Sequence, residues 1–135
     1  MSFEWQRELE SGIPALDFQH QKIFETIYAF SEKCECGSSP EEIFDLFESI
    51  DTFSKKHFSY EENLQQFNSY PGLSNQQNHH NLFLKDLDEL KKQLTEDGPT
   101  KEIAIAAKDR LVRWWMLHIK NLDRKFIDFL NEKQS

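Results

Sequence analysis

Glycine and proline are scarce in this chain, with four of each in 135 residues. Nearly all of them stand between long periodic stretches, at Gly12 to Pro14, Gly37 to Pro40, Pro71-Gly72 and Gly98-Pro99. A sheet-rich protein needs such residues at frequent tight turns, so their scarcity argues for helices joined by short loops. A chain of this length is expected to form one domain, residues 1–135, with a core that is stable without disulfide staples.

Long apolar runs and basic clusters are also missing from the sequence. No stretch approaches the roughly 18 apolar residues that a membrane-spanning helix needs. The N-terminus has no charged segment followed by an apolar run, so we expect a cytoplasmic location. The net charge is −8, which argues against nucleic acid and anionic membrane surfaces as partners. The sequence leaves any protein partner unidentified.

Cysteine is limited to Cys34 and Cys36, in a predicted loop before Pro40. Two thiols at this spacing could bind a soft metal or respond to an oxidant. In a cytosolic loop, however, such a pair more often consists of free thiols without a role. We therefore expect two free thiols here.

Apolar residues recur at intervals of three and four along four stretches, which predicts four helices. Their bounds are about residues 14–33, 40–68, 74–95 and 101–132, after an extended arm over residues 1–12. Ser39, Ser74 and Thr100 are predicted to cap the second, third and fourth helices. Aromatic residues of the arm, Phe3 and Trp5, are expected to pack on the bundle. The predicted fold is all-α, an up-down-up-down four-helix bundle with an extended N-terminal arm.

Each predicted helix places a histidine on its apolar seam: His20, His57, His80 and His118. Glu61 follows His57 by four residues, so the two side chains lie on one helix face, roughly 6 Å apart. A buried carboxylate is unfavourable unless it is paired or bound to a metal. Imidazoles together with carboxylates suit iron, manganese or zinc better than calcium or magnesium. The pattern therefore predicts a metal site inside the bundle.

Asp123 is a further carboxylate near the predicted site, five residues after His118. On a regular helix this spacing turns the two side chains about 140° apart, so the spacing alone would not place Asp123 at the site. If Asp123 is included, the donors number two carboxylates and four imidazoles. Two carboxylates can bridge a pair of ions, whereas one ion rarely takes six protein ligands. The donor set therefore favours two metals.

The chain resembles a known family, the hemerythrins in their single-domain bacterial form, over nearly its whole length. His57-Phe58-Ser59-Tyr60-Glu61-Glu62 matches the family's His-Phe-x-x-Glu-Glu motif. The remaining matches are Phe3-Glu4-Trp5, Gly12-Ile13-Pro14, Asp17-Phe18-Gln19-His20, Tyr70-Pro71, His80-Asn81-Leu82-Phe83-Leu84, and Trp114-Trp115-Met116-Leu117-His118-Ile119 followed by Asp123.

The resemblance implies two iron ions per chain, bridged by Glu61, Asp123 and an oxo or hydroxo group. One iron would take His20 and His57 and keep an open position for dioxygen, while the other would take histidines of the third and fourth helices, His80 and His118. The implied function is reversible dioxygen binding for storage, delivery or sensing, which favours an oxygen-binding protein over an enzyme and leaves that question open.

Gln76 departs from the family pattern, which has a further ligand histidine four residues before His80. Three arrangements are open: Gln76 ligates weakly, a water fills the position, or His79 swings in. His79 lies about 100° around the helix from His80, so its ligation would require a local bulge. The departure raises an alternative function. It is a di-iron redox protein or enzyme that reacts with peroxide or nitric oxide, or a sensor that autoxidises quickly.

Four residues beside the predicted ligands are candidates for supporting roles. Asp17 could accept a hydrogen bond from the free ring N–H of His20, or help to start the first helix. Trp114, Leu117 and Phe58 could wall the open position from water, which matters because bound dioxygen decays when water and protons reach it. The alternative for all four residues is ordinary core packing.

Overall fold

The computed structural model describes residues 5–134, which form an all-α four-helix bundle and confirm the predicted fold class. The first three helices are α1 (Pro14–Glu35), α2 (Pro40–Phe67) and α3 (Leu73–Asp97). The fourth consists of α4 (Lys101–Leu117), a π-helical segment (His118–Asp123) and α5 (Arg124–Gln134). None of the helices in residues 5–134 combines the length and apolar character needed to cross a membrane.

Two of the three predicted helix caps are present. The side chains of Ser39 and Thr100 accept hydrogen bonds from the backbone N–H groups of Glu42 and Ile103. The third prediction was wrong, because α3 begins at Leu73 with Gly72 at its N-cap, which places Ser74 inside the first turn. Glycine suits this position because the Cβ atom of any other residue would lie 2.6 Å from an atom of the Tyr70 ring.

Ser39 and Ser74 form a matched pair for a stability test. We expect Ser39→Ala to lower the free energy of unfolding by about 1 kcal/mol, because it removes the N-terminal cap of α2. Ser74→Ala should be neutral or slightly stabilising, since alanine is the better residue inside a helix. Urea denaturation of both variants measures the difference. An equal loss in both would contradict the assignment of Ser39 as the cap.

The N-terminal arm lies against the bundle and includes one 3-10 turn, Arg7–Leu9. Leu9 is fully buried in the core, and the ring of Trp5 lies 6.4 Å from that of Phe24. Two hydrogen bonds hold the arm: the backbone N–H of Ser11 donates to Asp17 at 2.8 Å, and Arg124 donates to the carbonyl of Glu10 at 2.9 Å. Phe3, also predicted to pack here, lies outside the described residues.

The π-helical segment determines which residues of the fourth helix face the core. Upstream, Ala104, Ala107, Leu111 and Trp115 are buried at regular helical spacing. The wider turn then takes up one extra residue. Downstream, the buried positions are Asp123, Phe126 and Ile127. Regular helical spacing from Leu111 and His118 would also place Trp114 and Leu122 on the buried seam, but both are only partly buried.

The two cysteines lie at the end of α1. Cys34 is in the last turn of that helix and is buried, whereas Cys36 is the exposed C-cap residue. Both are free thiols in the structure, as expected, although the sequence had placed them in a loop.

Candidate metal centre

The first group of metal-ligating side chains contains His20, His57, Glu61 and Asp123, with one ligand atom of each lying within 4.8 Å of the others. The Nε2 atoms of His20 and His57 are 3.0 Å apart. An oxygen of Asp123 lies 3.3 Å from His20 Nε2, and an oxygen of Glu61 lies 3.6 Å from His57 Nε2. All four side chains are buried. Three separate helices of the bundle therefore converge on one point.

The second group contains Glu61, His80 and His118. The Nε2 atoms of His80 and His118 are 3.3 Å apart, and both approach Glu61 Oε1, at 3.1 and 3.5 Å. All three residues are buried. The structure therefore brings the six donor residues predicted from sequence into two groups that share Glu61.

Asp123 reaches the centre because the backbone from His118 to Asp123 is π-helical. In this conformation residues five apart bond through i→i+5 hydrogen bonds and face the same side, which a regular helix does not allow. Asp123 Oδ1 lies 3.1 Å from His118 Nε2, while Oδ2 lies 3.3 Å from His20 Nε2. One carboxylate thus directs a separate oxygen at each group.

Glu61 has the same arrangement. Its Oε2 faces His57 at 3.6 Å, and its Oε1 faces His80 at 3.1 Å. Glu61 Oε2 and Asp123 Oδ2 are buried and have no hydrogen-bond partner among the described residues. Buried carboxylates with free oxygens, set between imidazole nitrogens, match the chemistry of iron, manganese or zinc ligands. The residues present therefore fit a pair of cations bridged by two carboxylates.

Two neighbouring side chains fix the orientation of the imidazoles. The Nδ1 of His57 bonds to Gln19 Oε1 at 2.6 Å, and the Nδ1 of His80 bonds to Glu62 at 2.7 Å. Each bond occupies Nδ1, which makes Nε2 the ring nitrogen that can be offered to a cation. Gln19 and Glu62 were not singled out from the sequence, although both lie in the motifs that carry the resemblance. The carboxylate of Asp17 instead binds the arm at Ser11, so it supports the start of α1.

Aromatic rings enclose the centre. Phe58 is buried and stacks on His80 with ring centroids 3.9 Å apart. Trp115 is fully buried, and its ring lies 5.5 Å from that of His57 and 6.0 Å from that of His20. These rings give each imidazole pair an apolar wall. Trp115 was missed in the sequence because Trp114, the residue before it, fits the same helical period.

Trp114 and Leu117 lie further out than the sequence suggested. Trp114 is partly buried and stacks on His118 with ring centroids 4.6 Å apart. Leu117 is 55% exposed, so it does not wall the centre from water. The two residues line a surface cavity of about 330 Å³ that also includes His79 and ends at His118.

Gln76 is buried, and its amide nitrogen donates to Asp123 Oδ1 at 3.1 Å. Its amide oxygen has no hydrogen-bond partner in the described part of the chain. His79 is exposed, with its ring 6.3 Å from that of His118, and it belongs to neither group of ligand atoms. The helix is regular at this point, so the local bulge that would turn His79 inward is not present.

The charged groups of the centre stabilise one another. Burial acts to lower the pKa of His118, but the carboxylates of Asp123 and Glu61 outweigh it and raise that pKa to about 10. Burial acts to raise the pKa of Glu61, but hydrogen bonds with the surrounding histidines hold it well below its usual range. The pKa of His57 is lowered by burial and by the neighbouring His20. His57 is thus held in the neutral form that binds metals.

A helical bundle with histidines and carboxylates converging in its middle defines a metal-binding protein of the non-haem class. The sequence model of the hemerythrin HHE cation binding domain matches residues 11–130, so this chain belongs to the hemerythrin family. Family membership implies an iron-binding protein of the oxygen-binding type.

Similar proteins carry hemerythrin names. The bacteriohemerythrin of Pseudomonas paraeruginosa strain PA7 is 26% identical over 131 residues, covering 97% of this chain and 83% of its own. That of Clostridium acetobutylicum is 27% identical over 129 residues, covering 93% and 99%. The myohemerythrin of Sipunculus nudus is 27% identical over 124 residues, covering 92% and 90%.

Proposed function

We propose that this chain is a single hemerythrin-like domain that binds dioxygen reversibly at a carboxylate-bridged pair of iron ions, for oxygen storage, delivery or sensing. One observation carries the proposal: Glu61 and Asp123 each direct separate oxygens at two groups of imidazoles. Such an arrangement suits two ions held side by side and has no advantage for a single ion.

In this proposal His20 and His57 hold one iron, and His80 and His118 hold the other. A pair of ferrous ions supplies two electrons and an open coordination position, which is the chemistry that reversible dioxygen binding requires. The first group has two imidazoles against two shared carboxylates, which leaves room for a small ligand. Its imidazoles lie beside Trp115, whose buried ring gives this room an apolar wall.

The surrounding residues protect that chemistry. Gln19 and Glu62 hold the rings of His57 and His80 with Nε2 facing inward. Phe58 and Trp115 keep water away, which slows the loss of bound dioxygen to protons and solvent. The cytoplasmic location remains a prediction.

The visible absorption spectrum of the iron-loaded protein tests the proposed function. We expect a charge-transfer band that appears when dioxygen is added to the anaerobic ferrous protein and disappears when dioxygen is removed. Iron analysis of the same sample should give two ions per chain. Immediate and permanent conversion to a ferric spectrum would contradict reversible binding.

Gln76 favours a second candidate function, a redox protein or enzyme that reacts with peroxide or nitric oxide, or a sensor that autoxidises quickly. Its amide nitrogen donates to Asp123, so it adds no ligand nitrogen to the second group, whose imidazoles are those of His80 and His118. A position left open there would admit solvent or a small oxidant. The discriminating measurement is whether the oxygenated protein returns dioxygen intact or decays within seconds to the ferric state.

A further inference from the structure

Gln65 is fully buried in α2, yet neither its amide oxygen nor its amide nitrogen has a hydrogen-bond partner within residues 5–134. A buried primary amide without partners is unfavourable, and a leucine or methionine would fill the same volume without that penalty. Unpaired buried amides are therefore uncommon in native proteins. We therefore expect the Gln65 amide to bond to a molecule other than the protein.

The register of α2 and α3 places Gln65 in the same layer as Gln76. Glu61 of α2 faces His80 of α3 at 3.1 Å, and successive helices of this bundle run antiparallel. Gln65 lies one turn after Glu61, and Gln76 lies one turn before His80. Both amides therefore lie on the same side of the metal centre, towards the loop that joins the two helices.

The second group of ligands offers four donors. Glu61, His80 and His118 form it, and Asp123 adds its Oδ1 atom, 3.1 Å from His118 Nε2. A cation of the iron or manganese type held by four protein donors keeps a position for a water molecule or another small ligand. The amide oxygen of Gln76 is unpaired beside this group.

We propose that Gln65 and Gln76 form an amide layer that holds a water molecule, or another small neutral oxygen ligand, against the cation bound by Glu61, His80 and His118. A water that donates both hydrogens to the two amide oxygens keeps a lone pair for the cation. Exchange of this water for another small ligand transfers no proton and breaks no covalent bond of the protein; it breaks only the two hydrogen bonds to the amide oxygens. The inference rests on the proposed metal pair and extends it with an exchangeable position on the second ion.

The test uses Gln65→Met, with Gln66→Met on the exposed neighbouring position as the matched control. Water-proton relaxation of the manganese(II)-loaded protein counts exchangeable metal-bound waters. We expect Gln65→Met to lose one such water per chain, and Gln66→Met to lose none. Unchanged relaxation in Gln65→Met would overturn the proposal.

Thermal unfolding supplies a second readout. In the metal-free protein, Gln65→Met should raise the unfolding midpoint by about 4 °C or more, because it removes an unpaired amide. In the metal-loaded protein this gain should disappear, because the variant also loses the amide that holds the water ligand against the cation. An equal gain in both forms would show that Gln65 is only an unpaired amide in the core, which would overturn the proposal.

Gln76→His keeps the inference testable if Gln65→Met does not fold. An imidazole at position 76 should displace the same water, so the wild-type protein should show one more exchangeable water than this variant. Equal counts would overturn the amide layer. The proposed function fails separately: a protein that loads two ions but gives no reversible dioxygen spectrum would contradict oxygen binding and leave the water counts unaffected.

Discussion

Glu61→Ala should empty both metal positions at once, with iron content falling from two ions per chain to fewer than one. Glu61 approaches His57, His80 and His118, so its loss removes the ligand that the two groups share. It also leaves buried imidazoles, one of them charged, with a carboxylate partner missing. Breaking a buried ionic pair in this way costs about 3–5 kcal/mol of folding free energy.

Iron analysis after purification, together with urea denaturation of the metal-free protein, measures both effects of Glu61→Ala. Glu25→Ala is the matched control, because Glu25 is an exposed glutamate on α1. The control should keep two irons and nearly full stability. If Glu61→Ala kept two irons, Glu61 would not be the bridging ligand.

Gln76→His should tighten iron binding by about tenfold or more, equivalent to about 1.4 kcal/mol or more, by adding a third imidazole to the group of His80 and His118. Because the new ligand closes the second position to solvent, the oxygenated form should also autoxidise more slowly. Gln76 is buried and bonded to Asp123, so the new side chain starts from a position already inside the centre.

Gln77→His is the matched control for this prediction, since position 77 lies on the exposed face of the same helix. Iron titration against a competing chelator and the lifetime of the oxygenated spectrum are the two measurements. Unchanged affinity and lifetime in Gln76→His would show that another ligand already completes the second position.

Most of the fold was predictable because apolar spacing and helix punctuation agree along the chain. Scarce glycine and proline marked the breaks, and Ser39 and Thr100 were recognisable caps. Ser74 was misleading because a serine with a glutamine three residues later, at Gln77, resembles a capping box. The helix instead begins at Leu73, one residue before Ser74. A local pattern of this kind fixes a helix end only to within a residue or two.

The ligand residues were predictable individually, but their surroundings were not. His57 and Glu61 are linked by helical spacing, whereas the contacts of Gln19 with His57 and of Glu62 with His80 cross between helices. Such contacts depend on the rotation of each helix about its axis. Gln65 was overlooked for a related reason, since its apolar neighbour Leu64 also follows the helical spacing of His57 and Glu61.

The fourth helix shows the limit of periodicity most clearly. Regular spacing placed Trp114 and Leu122 on the buried seam and turned Asp123 away from it. The π-helical segment changes the register after His118, so Asp123 becomes buried and Leu122 only partly so. Composition alone gave no sign of the wider turn.

That wider turn also bears on the order in which the centre assembles. Regular α-helical winding from His118 onward would rotate α5 by about 100° and carry Asp123, Phe126 and Ile127 out of the core together. Phe126 and Ile127 are buried, with the ring of Phe126 packed 4.9 Å from that of Tyr70. Burial of each of these side chains contributes about 1.5–3 kcal/mol, and it opposes that rotation without help from any ion. The carboxylate of Asp123 is thus preorganised by apolar contacts about one helical turn further along the chain. Iron loading therefore needs no rewinding of the helix. It needs only the displacement of protons and solvent from ligand side chains that are already in position.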